Sequence, residues 1–382
     1  MRKALILLLL LPLLTGCWDR LDLKKLQLVD VNGFDLNEKT GEIGAFFLIT
    51  KLKSTGQGTG ESVSVVNELK GPSLAEAIGQ WEFTNQSPFI GISTRVYLIS
   101  KTFALDDAVS ELDFLLDAPY SSINTPLVVI DGNFSSIFKT ATDQKKEFSK
   151  DLNEFIISME KNRTIPTVSM MNFIQSKDDP LCDIALPMLS PKDSTLELSG
   201  AVLYRNGTPT GKILDRDQVK LMMLLEGGNT GRQRFTGNLK RFTGNLSAKN
   251  GKKTVPDIAN KNNYGFTVKR NFSKIIVTNE KNKLPKIEVN VKLQVSAFEL
   301  GKETHKEKSD YVHMEKVISK HLENNAMELI KTMQSANSDV LGIGNELRAF
   351  HPKIWESLNW RKDYPKMIIK PKIDINILNT NS

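Results

Sequence analysis

Cysteine is almost absent from this chain: Cys17 and Cys182 are the only two in 382 residues. That excludes a disulfide scaffold and any zinc site built from paired Cys-x-x-Cys motifs. Histidine is nearly as scarce. His305, His313, His321 and His351 are scattered. His313 and His321, eight apart on an expected helix, lie about 80° out of alignment, which is poor geometry for one metal. No metal site is expected. The chain also lacks a Gly-x-Ser-x-Gly elbow, a His-Glu-x-x-His helix and a Gly-Lys-Ser/Thr phosphate loop. Serine hydrolysis, zinc proteolysis and nucleotide hydrolysis therefore have no visible carrier. Gly342-Ile343-Gly344 lacks the third glycine of a dinucleotide loop and reads as a turn. No catalytic set and no cofactor site emerge, so a non-enzymatic protein is expected. Beyond residue 17 there is no apolar run long enough to span a bilayer.

The start of the chain is the exception to this plainness. Arg2 and Lys3 precede an apolar run over residues 4–14, and Leu14-Thr15-Gly16-Cys17 closes it with small residues before a cysteine. The run is eleven residues long, short of the ~20 that a membrane-spanning helix needs. This is the pattern of a lipoprotein signal peptide at residues 1–16, cut so that Cys17 becomes the first residue, S-diacylglycerol-modified and N-acylated. An ordinary secretory signal fits the same length but does not require a cysteine at the cut. With two acyl chains the anchor is stable, whereas one alone binds only marginally. Lipid is thus an expected partner through Cys17. Cys182, then the only remaining thiol, is read as buried and inert.

Loss of Arg2 and Lys3 with the leader takes the formal charge from +7 to +5 over 366 residues, a length that suggests two or three domains. The charge is unevenly spread. Residues 232–286 hold fourteen Lys or Arg against Asp257 and Glu280. Such a segment suits anionic lipid headgroups, and it equally suits solvated loops and strand edges. Nucleic acid is not an expected partner, because export removes the chain from it. A local repeat lies inside the segment, Arg234-Phe235-Thr236-Gly237-Asn238-Leu239 followed by Arg241-Phe242-Thr243-Gly244-Asn245-Leu246. Two copies do not make a solenoid.

Periodicity divides the mature chain into three blocks. Strands are expected at 28–31 and 43–49 across a turn at 37–41, followed by a flexible loop at 56–60. From residue 71 helix and strand alternate: a capping box at Ser73-Leu74-Ala75-Glu76, a strand at 95–99, a helix at 106–116, a strand at 127–130 and a helix at 148–159. Residues 165–190 return to strand character and are expected to pair with the N-terminal strands. The last block opens with a strand and tight turn over 199–207 and a helix at 215–225. Alternating strands follow at 287–298, then a helix at 311–333 with Ile318, Leu322, Ala326, Leu329, Ile330 and Met333 on one face, then a strand at 367–377. The expected fold class is α+β (mixed α/β), with three domains of mixed sheets flanked by helices. They are a discontinuous domain I of residues 17–66 plus 164–195, an α/β unit at 67–163 inserted into it as domain II, and a C-terminal domain III at 196–382.

Four stretches, in order, carry a likeness to a known family. The first is Cys17-Trp18-Asp19-Arg20 with Val29-Asp30-Val31-Asn32-Gly33-Phe34-Asp35. The second is Gly71-Pro72-Ser73-Leu74-Ala75-Glu76-Ala77-Ile78 with Val96-Tyr97-Leu98-Ile99-Ser100, and the third is Leu112-Asp113-Phe114-Leu115-Leu116-Asp117. The fourth opens at Gly200-Ala201-Val202-Leu203 and ends in Asp339-Val340-Leu341-Gly342-Ile343-Gly344, Pro352-Lys353-Ile354-Trp355 and Trp360. The chain resembles the Ger(x)C family of spore germination lipoproteins, the C subunits of nutrient germinant receptors. It departs from that pattern at Ser93-Thr94, where the family commonly has a histidine. The resemblance implies a three-domain mixed α/β structure outside the inner spore membrane, working with two multi-spanning membrane subunits. The competing readings are a solute-binding lipoprotein of a transporter and a lipid-anchored hydrolase. Trp355 and Trp360 fit either a partner anchor or a plug of the C-terminal core, and the core is the preferred reading.

Overall fold

The computed structural model describes residues 27–378 apart from 54–60, 85–88, 92, 118–120, 144–147, 194, 229–232, 239–262, 281–282 and 300–307. Cys17, the loop expected at 56–60, the second copy of the repeat and His305 lie outside the described residues. Two sheets organise the chain. The larger runs in the order β3 (Glu61–Gly71), β2 (Ile43–Lys53), β1 (Gln27–Leu36), β5 (Val96–Ser100), β6 (Leu127–Ile130), β7 (Ile184–Lys192), β8 (Thr195–Arg205) and β9 (Thr208–Asp215). The short β4 (Phe89–Ile90) pairs beside β1. The smaller sheet runs β10 (Arg234–Asn238), β11 (Asn263–Thr278), β12 (Lys286–Glu299) and β13 (Ile368–Ile377).

The centre of the larger sheet is parallel and its flanks are antiparallel. That division follows from the residues. β5 and β6 read Val-Tyr-Leu-Ile-Ser and Leu-Val-Val-Ile, apolar almost throughout and buried at every position, as strands covered by helices on both faces must be. At one edge, β1 turns into β2 through Asn37, whose side-chain oxygen accepts the amide of Lys39 at 3.0 Å, a local turn device available to Asn. Side chains then sort by alternation. Val29, Phe34, Phe47, Tyr97, Ile99 and Val202 face one core, while Val31, Phe46, Leu48, Val96, Leu98 and Leu203 face the other. A bulge between Val29 and Val31 shifts the β1 register against β2.

Helices close both faces. Phe148–Lys161 buries Leu152, Ile156 and Met159, a single stripe at helical spacing. Arg216–Glu226 begins with a complete capping box: Asp215 accepts from the amide of Gln218 at 2.8 Å and the Gln218 side chain accepts from the amide of Asp215 at 2.9 Å. At the helix Leu74–Gly79 the Ser73 hydroxyl accepts the amide of Glu76 at 3.2 Å. The long helix Lys308–Ser335 lies on the smaller sheet, and all six of its expected core residues are buried, each contributing about 1.5–3 kcal/mol for the larger side chains. It also protects an edge. Among the described residues β13 pairs only with β12, and the carboxylates of Glu323 and Glu315 accept its amides at Ile373 (3.2 Å) and Ile377 (2.7 Å), occupying donors that an open edge would present to another strand.

One expectation, on strand pairing, needs correction. Residues 165–190 do not pair with β1–β3. The stretch holds the helix Met170–Gln175, capped by Ser169, and the start of β7, whose neighbours are β6 and β8. The helix follows from Met170, Phe173 and Ile174, buried at i, i+3 and i+4. The block expected as an insertion supplies β5 and β6 to the middle of the larger sheet, between β1 and β7. Likewise β8 and β9, expected in the C-terminal block, complete that same sheet. Periodicity identifies strands, but partner choice is a long-range matter that no local pattern encodes.

Candidate functional site

The residues singled out in the sequence do not converge on a reactive centre. His313 is exposed, and His351 precedes the helix Pro352–Trp355. His321 packs its ring edge-on to Tyr264 at 5.7 Å, and its side chain meets Asn325 at 3.2 Å. Among the described residues no group of His, Cys, Asp or Glu is placed to hold a metal ion. Cys182 is half-buried and unpaired. Burial first, then the charges of Asp179 and Asp183, hold its thiol above the ordinary value, which makes thiolate scarce at neutral pH.

What the structure brings together instead is a buried polar junction between the end of the larger sheet and the C-terminal helical segment. Asp183, immediately before β7, has a carboxylate with no solvent exposure. It is held from three directions. Arg361 spans both oxygens, at 2.7 and 2.8 Å. The amide of Asn206, in the turn from β8 to β9, donates to one oxygen at 3.0 Å, and the amide of Asp339 to the other at 2.6 Å. The Arg361 guanidinium also donates to the carbonyl of Asn337 at 3.1 Å and to that of Pro180. Ser338 donates to the carbonyl of Tyr204 at 2.8 Å, and Tyr364 to the carbonyl of Ser338 at 3.2 Å.

Asp339 is the second carboxylate of the junction. It accepts the amides of Ile343 at 3.0 Å and Gly344 at 2.7 Å, the first free donors of the helix Ile343–Phe350. Gly342 sits at φ +70° in the left-handed region, where a glycine carries no Cβ penalty. At Gly344 a Cβ would lie 2.8 Å from the Trp360 ring and 2.9 Å from Leu181. The Gly-x-Gly is thus a turn that opens a helix and lets Trp360 pack against its backbone. Trp360 is buried, with its ring 5.1 Å from Tyr364 and 5.6 Å from the half-buried Trp355, so the core reading holds for Trp360.

Burial pushes the Asp339 carboxyl up to about 7, against the pull of the Gly344 and Ile343 amides. Between pH about 4, where the unfolded chain loses this proton, and about 7, the folded state keeps it. Stability therefore falls as pH rises through that window and levels above it. Glu226 and Glu160, also raised to about 7 by burial, act in the same direction. Asp339→Asn mimics the protonated form. Melting curves at pH 5 to 8 should show the variant gaining on the parent as pH rises; a constant gap would contradict the assignment.

Residues 19–191 match the family described as spore germination protein N-terminal domain, and residues 200–381 match spore germination B3/GerAC like, C-terminal. The chain belongs to the Ger(x)C family of spore germination proteins. Spore germination protein GerQC of Bacillus cereus is 22% identical over 377 residues, covering 99% of this chain and 98% of that one. The crystal structure of the GerBC protein shares the fold, with a TM-score of 0.56 and 12% identity over 94% of this chain and 100% of that chain.

The Ger(x)C frame gives the junction its meaning. The break between the two family matches falls near the β7–β8 hairpin, so the larger sheet takes strands from both halves. Asp183 belongs to the N-terminal half, and Asp339 and Arg361 to the C-terminal half. The junction fixes one half against the other, and its carboxylate oxygens are taken up by N–H groups. At Ser93-Thr94, the Ser93 hydroxyl donates to the carbonyl of Val29 at 2.8 Å, and Asn32 donates to the Thr94 hydroxyl at 2.9 Å. Asp30 of the same motif pairs with Arg95 at 3.5 Å. The first motif thus pins the loop before β5. Asp183 and Arg361 escape sequence reasoning because they lie 178 positions apart and neither sits in a periodic pattern.

Proposed function

We propose that this chain is the lipid-anchored subunit of a nutrient germinant receptor. It is held through diacylated Cys17 on the outer face of the inner spore membrane, beside two multi-spanning subunits, and serves assembly or signalling without catalysing a reaction. The observation that carries the reading is the succession of the N- and C-terminal Ger(x)C matches over residues 19–191 and 200–381. The signal pattern ending at Cys17 supplies the anchor. The junction suits the role, because a subunit that passes a force or a conformational change between membrane partners needs its halves held in one register. Among the described residues no helix is long and apolar enough to cross a membrane. The test is nutrient-triggered germination of spores lacking the chain. The response to at least one nutrient should be lost and restored by the intact gene; unchanged rates across a broad nutrient panel would overturn the reading.

A further inference from the structure

The outward face of the smaller sheet is not an ordinary polar surface. Strand pairing aligns it in five rows across β11, β12 and β13. Every row carries a cation: Lys286, then Lys370, then Lys274 with Lys372, then Lys292, then Arg270. Only Glu288 and Asp374 oppose them on this face, and Glu288 accepts a hydrogen bond from Asn290 at 3.2 Å. Lys286 pairs with Glu280; among the described residues the other five cations form no ion pair. Between them stand three exposed apolar side chains, Phe272 at 63%, Ile368 at 50% and Ile276 at 39%. The opposite side of the same strands is occupied, with Val289, Val291, Leu293, Ile369 and Ile373 in the core.

We propose that this face docks on an anionic lipid surface. The cations are spread over an extended three-stranded plane, without converging on one point as they would for a compact anionic ligand. The apolar side chains are separated by charges, where a protein interface would gather them into one patch. Isolated apolar side chains among cations suit the headgroup boundary, where the charges meet phosphate and the apolar tips reach the acyl chains. The orientation rests on the anchored reading of Cys17 only in that the anchor would bring the face within reach; the charge and geometry stand without it.

The test uses the mature chain with Cys17→Ser, so that the sheet alone must bind, and sedimentation with vesicles of 30% phosphatidylglycerol in phosphatidylcholine or of phosphatidylcholine alone. Binding is expected to the first and not the second, and to fall in 0.5 M salt. The triple variant Lys274→Glu, Lys292→Glu, Lys372→Glu should partition more than about tenfold less with an unchanged melting temperature. A second variant, Lys39→Gln, Lys212→Gln, Lys353→Gln, changes three exposed lysines that lie outside the five rows and should bind like the parent. Equal binding of parent and face variant, loss of binding only in the second variant, or no binding to anionic vesicles would each overturn the proposal. So would capture of an acidic protein surface by a face that ignores lipid. None of these outcomes touches the family assignment or the germination test, so the two readings fail separately.

Discussion

Arg361→Ala is expected to destabilise the protein by about 3–5 kcal/mol, because it leaves the Asp183 carboxylate buried without its cation. The Asp183 side chain has no solvent exposure, so water cannot take the place of the guanidinium. Two backbone amides, from Asn206 and Asp339, still reach it, and they keep the loss from being larger. Arg361→Lys should lie between the two, since an ammonium cannot span both oxygens as the planar fork does at 2.7 and 2.8 Å. The double variant Asp183→Asn, Arg361→Met should recover part of the loss, because it removes the stranded charge together with its partner. Urea unfolding followed by far-ultraviolet circular dichroism reads all three. Since the junction joins the two halves, a second transition in Arg361→Ala would report their uncoupling. A shift below about 1 kcal/mol would show that the pair is dispensable.

How much of this was legible beforehand differs by element, for physical reasons. The helix Lys308–Ser335 was readable because Ile318, Leu322, Ala326, Leu329, Ile330 and Met333 repeat at helical spacing, and the structure buries all six. The helix Arg216–Glu226 and the strand β13 were readable as local runs, to which the structure adds a capping box and an alternating burial. The order of strands was not, because β5 and β6 enter between β1 and β7 by pairings that depend on partners far along the chain. The helix Met170–Gln175 was missed because the prolines and apolar pairs around it obscured its i, i+3, i+4 pattern. Of the junction, the turn at Gly342 and the buried Trp360 were anticipated. The Asp183–Arg361 pair was not, since a buried ion pair leaves no trace in spacing. The basic face was half visible: residues 232–286 stood out as cationic, but Lys292, Lys370 and Lys372 come from other strands and join it only through the register.

Cys17→Ala should have the largest effect of any single change. Each buried methylene of an acyl chain contributes about 0.8 kcal/mol to membrane binding, and two chains anchor stably where one does not. On the anchored reading proposed above, loss of the thiol would remove the diacylglycerol and the cut that depends on it. What remains in front is the apolar run of residues 4–14, too short to span the bilayer unaided. The most direct measurement is affinity capture of the tagged protein from detergent-solubilised spore membranes after a high-salt wash, with mass spectrometry of the co-purifying chains. The wild-type chain should carry a diacylated Cys17 and bring down two multi-spanning subunits, and Cys17→Ala should lose both the membrane fraction and those partners. Recovery of a permease and an ATPase, or of Cys17→Ala in the washed membrane with its partners at full yield, would contradict the account.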